Sequence, residues 1–388
     1  MKQLTRTFVA LAVGVMSTVA ANTQIDPHST AGPIAQSTSS PALGATSPVY
    51  DPPAGVVPYF PTSPFLQKIP DPPSVNPKSA VWIAALGDFS LGRIAANDAA
   101  SILRDHGEPI YLNHAGANKP IKIHCTSNYG HIPCNVEGQT VYIDPREIPQ
   151  HGDAPGEDDH LALIDAPAGY EYDFWVVHEW PPRNGVLTVN WGGRCALSGN
   201  GFTNPSYTGP HWNSGCGATA SGTPVSMGII RAKDLLAAIT AGGALPQALA
   251  VAVECPGKGE PLPAPFFGSG DGQCPGNAPE GSRMYLAMHD ADVNGLSAAP
   301  LVKVILRTLD EDHYGAFVID TGGKQPGIQL QTEADSTYTA WGLPGPWLTQ
   351  IAPEAAREGL PGAGFMFNNR YLFQLPIPPS VGAAMRFL

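Results

Sequence analysis

The chain has 388 residues, with 21 Lys and Arg against 33 Asp and Glu and a formal charge of −12. It carries no basic excess to serve as an electrostatic footprint for nucleic acid or for an anionic membrane surface, so a neutral polymer or a small ligand is the easier partner. Charged residues are only 14% of the whole while Gly and Pro number 43 and 41, which favours a loop-rich, mainly β protein over a helical one.

Met1-Lys2-Gln3-Leu4-Thr5-Arg6 is followed by a charge-free run from Phe8 to Ala21 that ends in Val19-Ala20-Ala21. A basic start, a short apolar stretch and a small-x-small end read as a cleavable secretory signal over 1–21, and the run is too short for the roughly 20 residues that cross a bilayer. A retained N-terminal anchor is the alternative. From Asn22 to Lys78 the composition is rich in Pro, Ser and Thr, as in Ser37-Thr38-Ser39-Ser40, Pro52-Pro53 and Pro72-Pro73. Such a segment buries little apolar surface and reads as a linker dispensable for folding, although Val56-Val57-Pro58-Tyr59-Phe60 is apolar enough to dock. One globular domain is expected over 79–388.

Within that domain short runs with strand character recur at Ile121–His124, Thr140–Ile143, His160–Ile164, Tyr170–Val177, Leu187–Asn190, Leu249–Val253, Met284–Met288, Ala316–Ile319 and Tyr371–Leu375. Helical spacing is confined to Arg93–Arg104, Arg231–Ile239 and Leu301–Leu309. Many strands, few helices and no βαβ repeat predict a β-sandwich or jelly-roll with a few helical insertions. The six cysteines fit export to an extracellular or periplasmic space, and none lies in a C-x-x-C pair. Fifteen pairings are open, of which the sequentially nearest, Cys125–Cys134, Cys195–Cys216 and Cys255–Cys274, is the simplest; buried free thiols are the alternative.

The densest cluster of reactive side chains is Asp158, His160 and Asp165, followed after a turn by Glu171, Asp173 and Trp175. On a strand alternate residues share a face, so Glu171, Asp173 and Trp175 should project together, with Tyr170, Tyr172 and Phe174 behind them. Two carboxylates and an indole suit a glycosidase, in which one carboxyl is the acid, the other the nucleophile or base, and the ring stacks a sugar. Asp158, His160 and Asp165 would then orient the pair. An amphipathic edge strand with a solvated acidic face is the plain alternative.

These residues, from Tyr142-Ile143-Asp144-Pro145 through Asp158, His160, Asp165 and Tyr170-Glu171, resemble a pattern in secreted bacterial β-rich proteins of unassigned function. Ala218-Thr219-Ala220, Met227-Gly228-Ile229-Ile230-Arg231 and Tyr314-Gly315 before Asp320 are similar to the same group, and the resemblance spans most of residues 110–350. It implies a shared site without naming a chemistry, and adds Arg231, Tyr314 and Asp320 to the candidate ligand-binding residues. The Glu-x-Asp strand is also similar to the catalytic strand of laminarinase-like β-sandwich glycoside hydrolases. There a second Glu follows two or three residues on, where this chain has Trp175 and Val176.

Trp175, Trp180, Trp191 and Trp212 cluster in a turn-rich stretch and suit sugar rings in an open cleft, the alternative for any one of them being a place in the core. Asp290-Ala291-Asp292-Val293-Asn294-Gly295 matches the first half of a calcium loop, making calcium the one cofactor suggested, with Asp290, Asp292 and Asn294 as ligands. Leu301 stands where the closing acid should fall, so an acidic surface turn is the alternative. No G-x-S-x-G, H-E-x-x-H, Walker loop or dinucleotide fingerprint occurs. Three functions follow: a secreted glycoside hydrolase acting on a neutral polysaccharide or oligosaccharide; a non-enzymatic glycan- or wall-binding module; and a metal-dependent enzyme centred on Asp158, His160 and His289.

Overall fold

The computed structural model describes residues 49–388 apart from 87–92, 97–106, 113–118, 128–133, 151–158, 203–214, 254, 258–273, 275, 322–327, 361–365, 368–369 and 372. The signal run, most of the tether, Asp158 and Trp212 lie outside these residues. In chain order the strands are β1 (Arg93–Ala96), β2 (Ile110–Leu112), β3 (Lys119–Cys125), β4 (Thr140–Ile143), β5 (Leu161–Asp165), β6 (Tyr170–Val177), β7 (Val186–Ala196), β8 (Leu249–Val253), β9 (Arg283–Leu286), β10 (Ala316–Thr321), β11 (Ile328–Leu330), β12 (Met366–Phe367), β13 (Arg370–Tyr371), β14 (Phe373–Pro376) and β15 (Met385–Phe387). The helices are α1 (Ser79–Ala85), α2 (Ala232–Ala241), α3 (Asp290–Gly295), α4 (Pro300–Leu309), α5 (Ser336–Thr339), α6 (Ala352–Arg357) and α7 (Pro379–Ala384).

The strands form a seven-stranded sheet, β14-β1-β11-β8-β10-β9-β15, a six-stranded sheet, β2-β5-β6-β7-β3-β4, and the separate ribbon β12-β13. The protein is thus mainly β. The strand pairing departs from an all-antiparallel jelly-roll, because β1 with β11, β8 with β10, β2 with β5 and β3 with β7 run parallel. The helix expected over Arg93–Arg104 is not formed at its start: Arg93–Ala96 is β1, hydrogen-bonded to β11 on one side and β14 on the other. A short apolar run in a sheet interior has no periodicity to separate it from a helix.

The continuous apolar run of β8 is buried on both faces, as in central strands generally. Leu249, Val251 and Val253, with Ala316 and Val318 of β10, face a core closed by Leu235 of α2, Leu301 and Ile305 of α4, Trp82 of α1 and Val381 of α7. The alternate residues Ala250, Phe317 and Ile319 belong to a second core shared with the six-stranded sheet. The helices therefore form a layer over one face of the larger sheet and are more than scattered insertions. Helix α2 ends where glycine allows it, at Gly242 with φ 63°, whose N–H closes the last turn onto Ala238 and Ile239.

The domain begins well before Ser79. Phe60 and Phe65 are 0% exposed, and Ile69 is buried. The backbone of this strap is tied in as well: Phe60 N–H donates to Leu197 O at 2.7 Å, Ala248 N–H to Phe65 O at 2.7 Å and Ile69 N–H to His313 O at 2.7 Å. The ring of Phe65 packs 4.6 Å from that of Phe317, and Gly228, with φ +74°, is glycine because a Cβ there would stand 2.3 Å from Phe65 Cε1. Arg231 clamps the strap from below, its guanidinium donating to the carbonyls of Pro52, Pro53 and Val56 while Asp234 holds it in place. The tether read as reaching residue 78 is, from Val49 on, part of the packed domain, and the reason is its aromatic residues rather than its prolines. All three disulfides pair sequential cysteines, with Cα separations of 6.4, 5.0 and 5.7 Å, within the usual bridging range. They fit an oxidising compartment. Among the described residues no helix is long and apolar enough to cross a membrane.

Candidate functional site

Glu171 and Asp173 stand on one face of β6, opposite Cys195 and Gly193 of β7 and Ile164 and Ala162 of β5. That face is covered by the segment 215–226. Cys216 is tied by its disulfide to Cys195 beside Glu171, and the segment passes so close to the sheet that a Cβ on Gly193 would lie 1.9 Å from Cys216 O. An irregular segment buried this way must find partners for its N–H groups. The carboxylates provide several of them: Asp173 Oδ2 accepts from Ala218 N–H at 3.3 Å and Val225 N–H at 3.0 Å, and Glu171 accepts from Ser226 N–H at 3.0 Å and from the Ser226 hydroxyl. Ser221 N–H reaches on to Ile319 O at 2.8 Å, so the segment bridges the six-stranded sheet and β10.

Both carboxylates are 0% exposed. Burial pushes the Glu171 carboxyl up. It pushes Asp173 up much further, with the neighbouring Glu171 charge acting in the same direction. Asp173 Oδ1 is buried without a hydrogen-bond partner. Two adjacent carboxyls raised to different extents are what a pair needs for acid/base chemistry, but the pair stands inside the protein with its other oxygens directed at the chain itself. A surface groove lined by Val75, Ile83, Ala84 and Met385 shares no residue with it.

The other expected residues are dispersed. His160 is buried and its Nδ1 pairs with Glu108 Oε2 at 3.1 Å. Asp165 caps the hairpin turn, accepting from Ala168 N–H at 2.9 Å. Arg231 is the strap clamp described above. The carbonyl of Tyr314 accepts from Arg283 Nε at 3.0 Å, and Asp320 sits at the irregularity of β10 where the register with β8 shifts. Trp191 is core; Trp175, its cross-strand partner, is half-buried. His289 binds Glu311 and Asp312 at the surface, whereas His160 is buried against Glu108. The calcium loop is not formed: Asp290–Gly295 is helix α3, in which Asp292 accepts the His289 N–H as a cap and Asn294 Oδ1 accepts from Arg307. A helix turns these oxygens outward around its axis, whereas a calcium loop turns them inward.

Sequence reasoning missed a surface feature on the turn after β4. Trp180 Nε1–H donates to Pro145 O at 3.1 Å. The Arg146 guanidinium lies 4.0 Å above the ring of Trp341 and is held flat by two hydrogen bonds to Asp144, at 2.9 and 2.7 Å. Tyr142, just upstream, is among the few large apolar side chains left exposed. Two half-buried indoles from distant parts of the chain therefore meet a fixed, planar Arg–Asp pair at the surface. The Tyr142-Ile143-Asp144-Pro145 string was visible as a motif, but nothing in sequence attached Trp341 to it. Comparison with known proteins adds no family: no family model, no curated protein and no solved structure matches the chain.

Proposed function

We propose that the chain is a secreted, non-enzymatic glycan-binding module that takes a neutral saccharide on the surface formed by Tyr142, Asp144, Arg146, Trp180 and Trp341. The carrying observation is the convergence of Trp180 and Trp341 on the 144–147 turn. Aromatic faces cover the apolar face of a pyranose, and the exposed Arg146 guanidinium, held flat by the buried Asp144, offers donors to its hydroxyls. The acidic surface disfavours polyanions, and three disulfides support a life outside the cell. The two sheets joined through a shared core support reading the fold as a β-sandwich carrying a helical layer. A glycan array on the purified protein tests the proposal: at least one neutral saccharide should bind, and Trp180→Ala or Arg146→Ala should abolish that signal, Arg146→Ala while changing the unfolding free energy by less than about 1 kcal/mol. An array without hits, or hits indifferent to both substitutions, overturns it.

A glycoside hydrolase remains the second reading, favoured by the adjacent buried carboxyls of Glu171 and Asp173, both pushed up by burial and Asp173 the further. It requires the 215–226 segment to leave the carboxylates. Release of sugar from any array hit, lost on Glu171→Gln, would support this reading over the first.

A further inference from the structure

Asp290 opens α3, Asp310 follows the last turn of α4, and His313 lies three residues on. Their meeting is set by backbone: Leu286 at the end of β9 bridges to Asp310, Glu311 N–H donates to Met288 O at 3.2 Å, and Asp290 N–H donates to Asp312 Oδ2 at 2.8 Å. As a result one oxygen from each of Asp290 and Asp310 and one ring nitrogen of His313 lie within 4.8 Å of one another. We propose that Asp290, Asp310 and His313 form a divalent transition-metal site, with zinc the ion best matched to the donors.

Acidic side chains at a surface are common without any ion, and the case here rests on Asp310. It is 0% exposed. One oxygen accepts from His313 Nδ1 at 2.7 Å and from Asp312 N–H at 3.0 Å, but Oδ2 is buried with no hydrogen-bond partner. A buried carboxylate oxygen left unpaired costs about 1–3 kcal/mol, so proteins rarely keep one without a ligand to meet it. Asp290 is held differently: its Oδ1 is ion-paired with Arg307 Nε at 3.0 Å without hydrogen-bond geometry, and its Oδ2 accepts from Asn294 Nδ2 at 3.3 Å. Asp290 and His313 are half-buried and give the cluster access to solvent.

The donor set chooses the ion. Calcium and magnesium take oxygen ligands and bind imidazole poorly, whereas two carboxylates and an imidazole, with a fourth position left to water, suit zinc or a neighbouring first-row metal. Around this set stand Asp292, Glu311 and Asp312, which deepen the negative potential, and Arg307, which offsets part of it.

The test is zinc titration of the full chain at neutral pH, after chelator treatment, in competition with a chromophoric chelator. One equivalent should bind, and His313→Ala and Asp290→Asn should each weaken it by at least about tenfold, with His124→Ala, at an exposed histidine elsewhere, leaving it unchanged. Asp310→Asn should do the same; if that buried substitution fails to fold, the other two variants decide. Absence of saturable zinc binding, affinity indifferent to both His313→Ala and Asp290→Asn, or displacement of the zinc by an equal concentration of calcium would each overturn the proposal.

Discussion

The carboxylates of the inter-sheet core and those around α3 and α4 have opposite fates. Glu171 and Asp173 are wholly enclosed, and three of their four oxygens accept hydrogen bonds from the 218–226 segment. Asp290 and Asp310 lie at the junction of α3 and α4, Asp310 0% exposed and Asp290 half-buried, and each keeps an oxygen without a hydrogen bond. Spacing on a strand makes two carboxylates neighbours, but it does not decide whether water, a ligand or the protein's own backbone will meet them. In the first region the backbone does, and the pair acts as an anchor. In the second, side chains meet one another instead: His313 and Asp310 pair at 2.7 Å and Arg307 lies 3.0 Å from Asp290.

The largest test of that contrast is the strap that closes the inter-sheet core. A chain shortened to begin at Ser79 loses Phe60, Phe65 and Ile69 from the interior, each aromatic worth about 3–5 kcal/mol when removed, against a typical total stability of about 5–15 kcal/mol. Insolubility, or a protein without a cooperative melt, is expected; a soluble, cooperatively melting product would show that the strap is an appendage.

Next comes the anchor itself. Glu171→Ala strands the Ser226 N–H and hydroxyl in the interior, with an expected loss of about 2–5 kcal/mol in urea unfolding. Glu171→Gln keeps one acceptor and should cost about 1–3 kcal/mol. A neutral outcome for both would break the anchoring account and favour a pair held for chemistry.

A smaller effect is expected from pH. Burial pushes the Glu333 carboxyl up to about 8, even though it accepts from Ala232 N–H at 2.7 Å and from the Tyr338 hydroxyl at 3.1 Å. Asp335 is pushed up to about 6 by the same cause. An acid whose folded pKa is raised binds more protons folded than unfolded, so stability falls as pH climbs from the ordinary carboxylate range to the folded pKa. The contribution of Glu333 is present below about pH 4.5 and lost by about pH 8. Urea midpoints measured from pH 5 to 8 should slope downward, and Glu333→Gln should flatten that slope.

The smallest effect is at the surface aromatic patch, where Arg146→Ala removes an exposed guanidinium that pairs with Asp144 and stacks on Trp341. Its unfolding free energy should change by less than about 1 kcal/mol while glycan binding is lost. A larger destabilisation would mean that Arg146 and Trp341 are packed for structure.

Local pattern determined a great deal. The strand bounds of Thr140–Ile143, Tyr170–Val177 and Leu249–Val253 and the helices at α2 and α4 could be read from the chain, because each depends on residues a few positions apart, and the disulfide pairing formed is the simplest of the fifteen left open. The shared face of Glu171 and Asp173 was legible for the same reason, since β alternation has a period of two. What covers that face was not: the 215–226 segment is held there by hydrogen bonds between residues some fifty positions apart in sequence, such as Glu171 to Ser226. The same limit hid the burial of Phe65 under β10, the stacking of Arg146 on Trp341, and the meeting of Asp290 with Asp310 and His313. Sequence determined which side chains share a strand face or a helix turn. Only tertiary structure decided which of them face water, because burial depends on the segment packed opposite, and local periodicity carries no information about that segment.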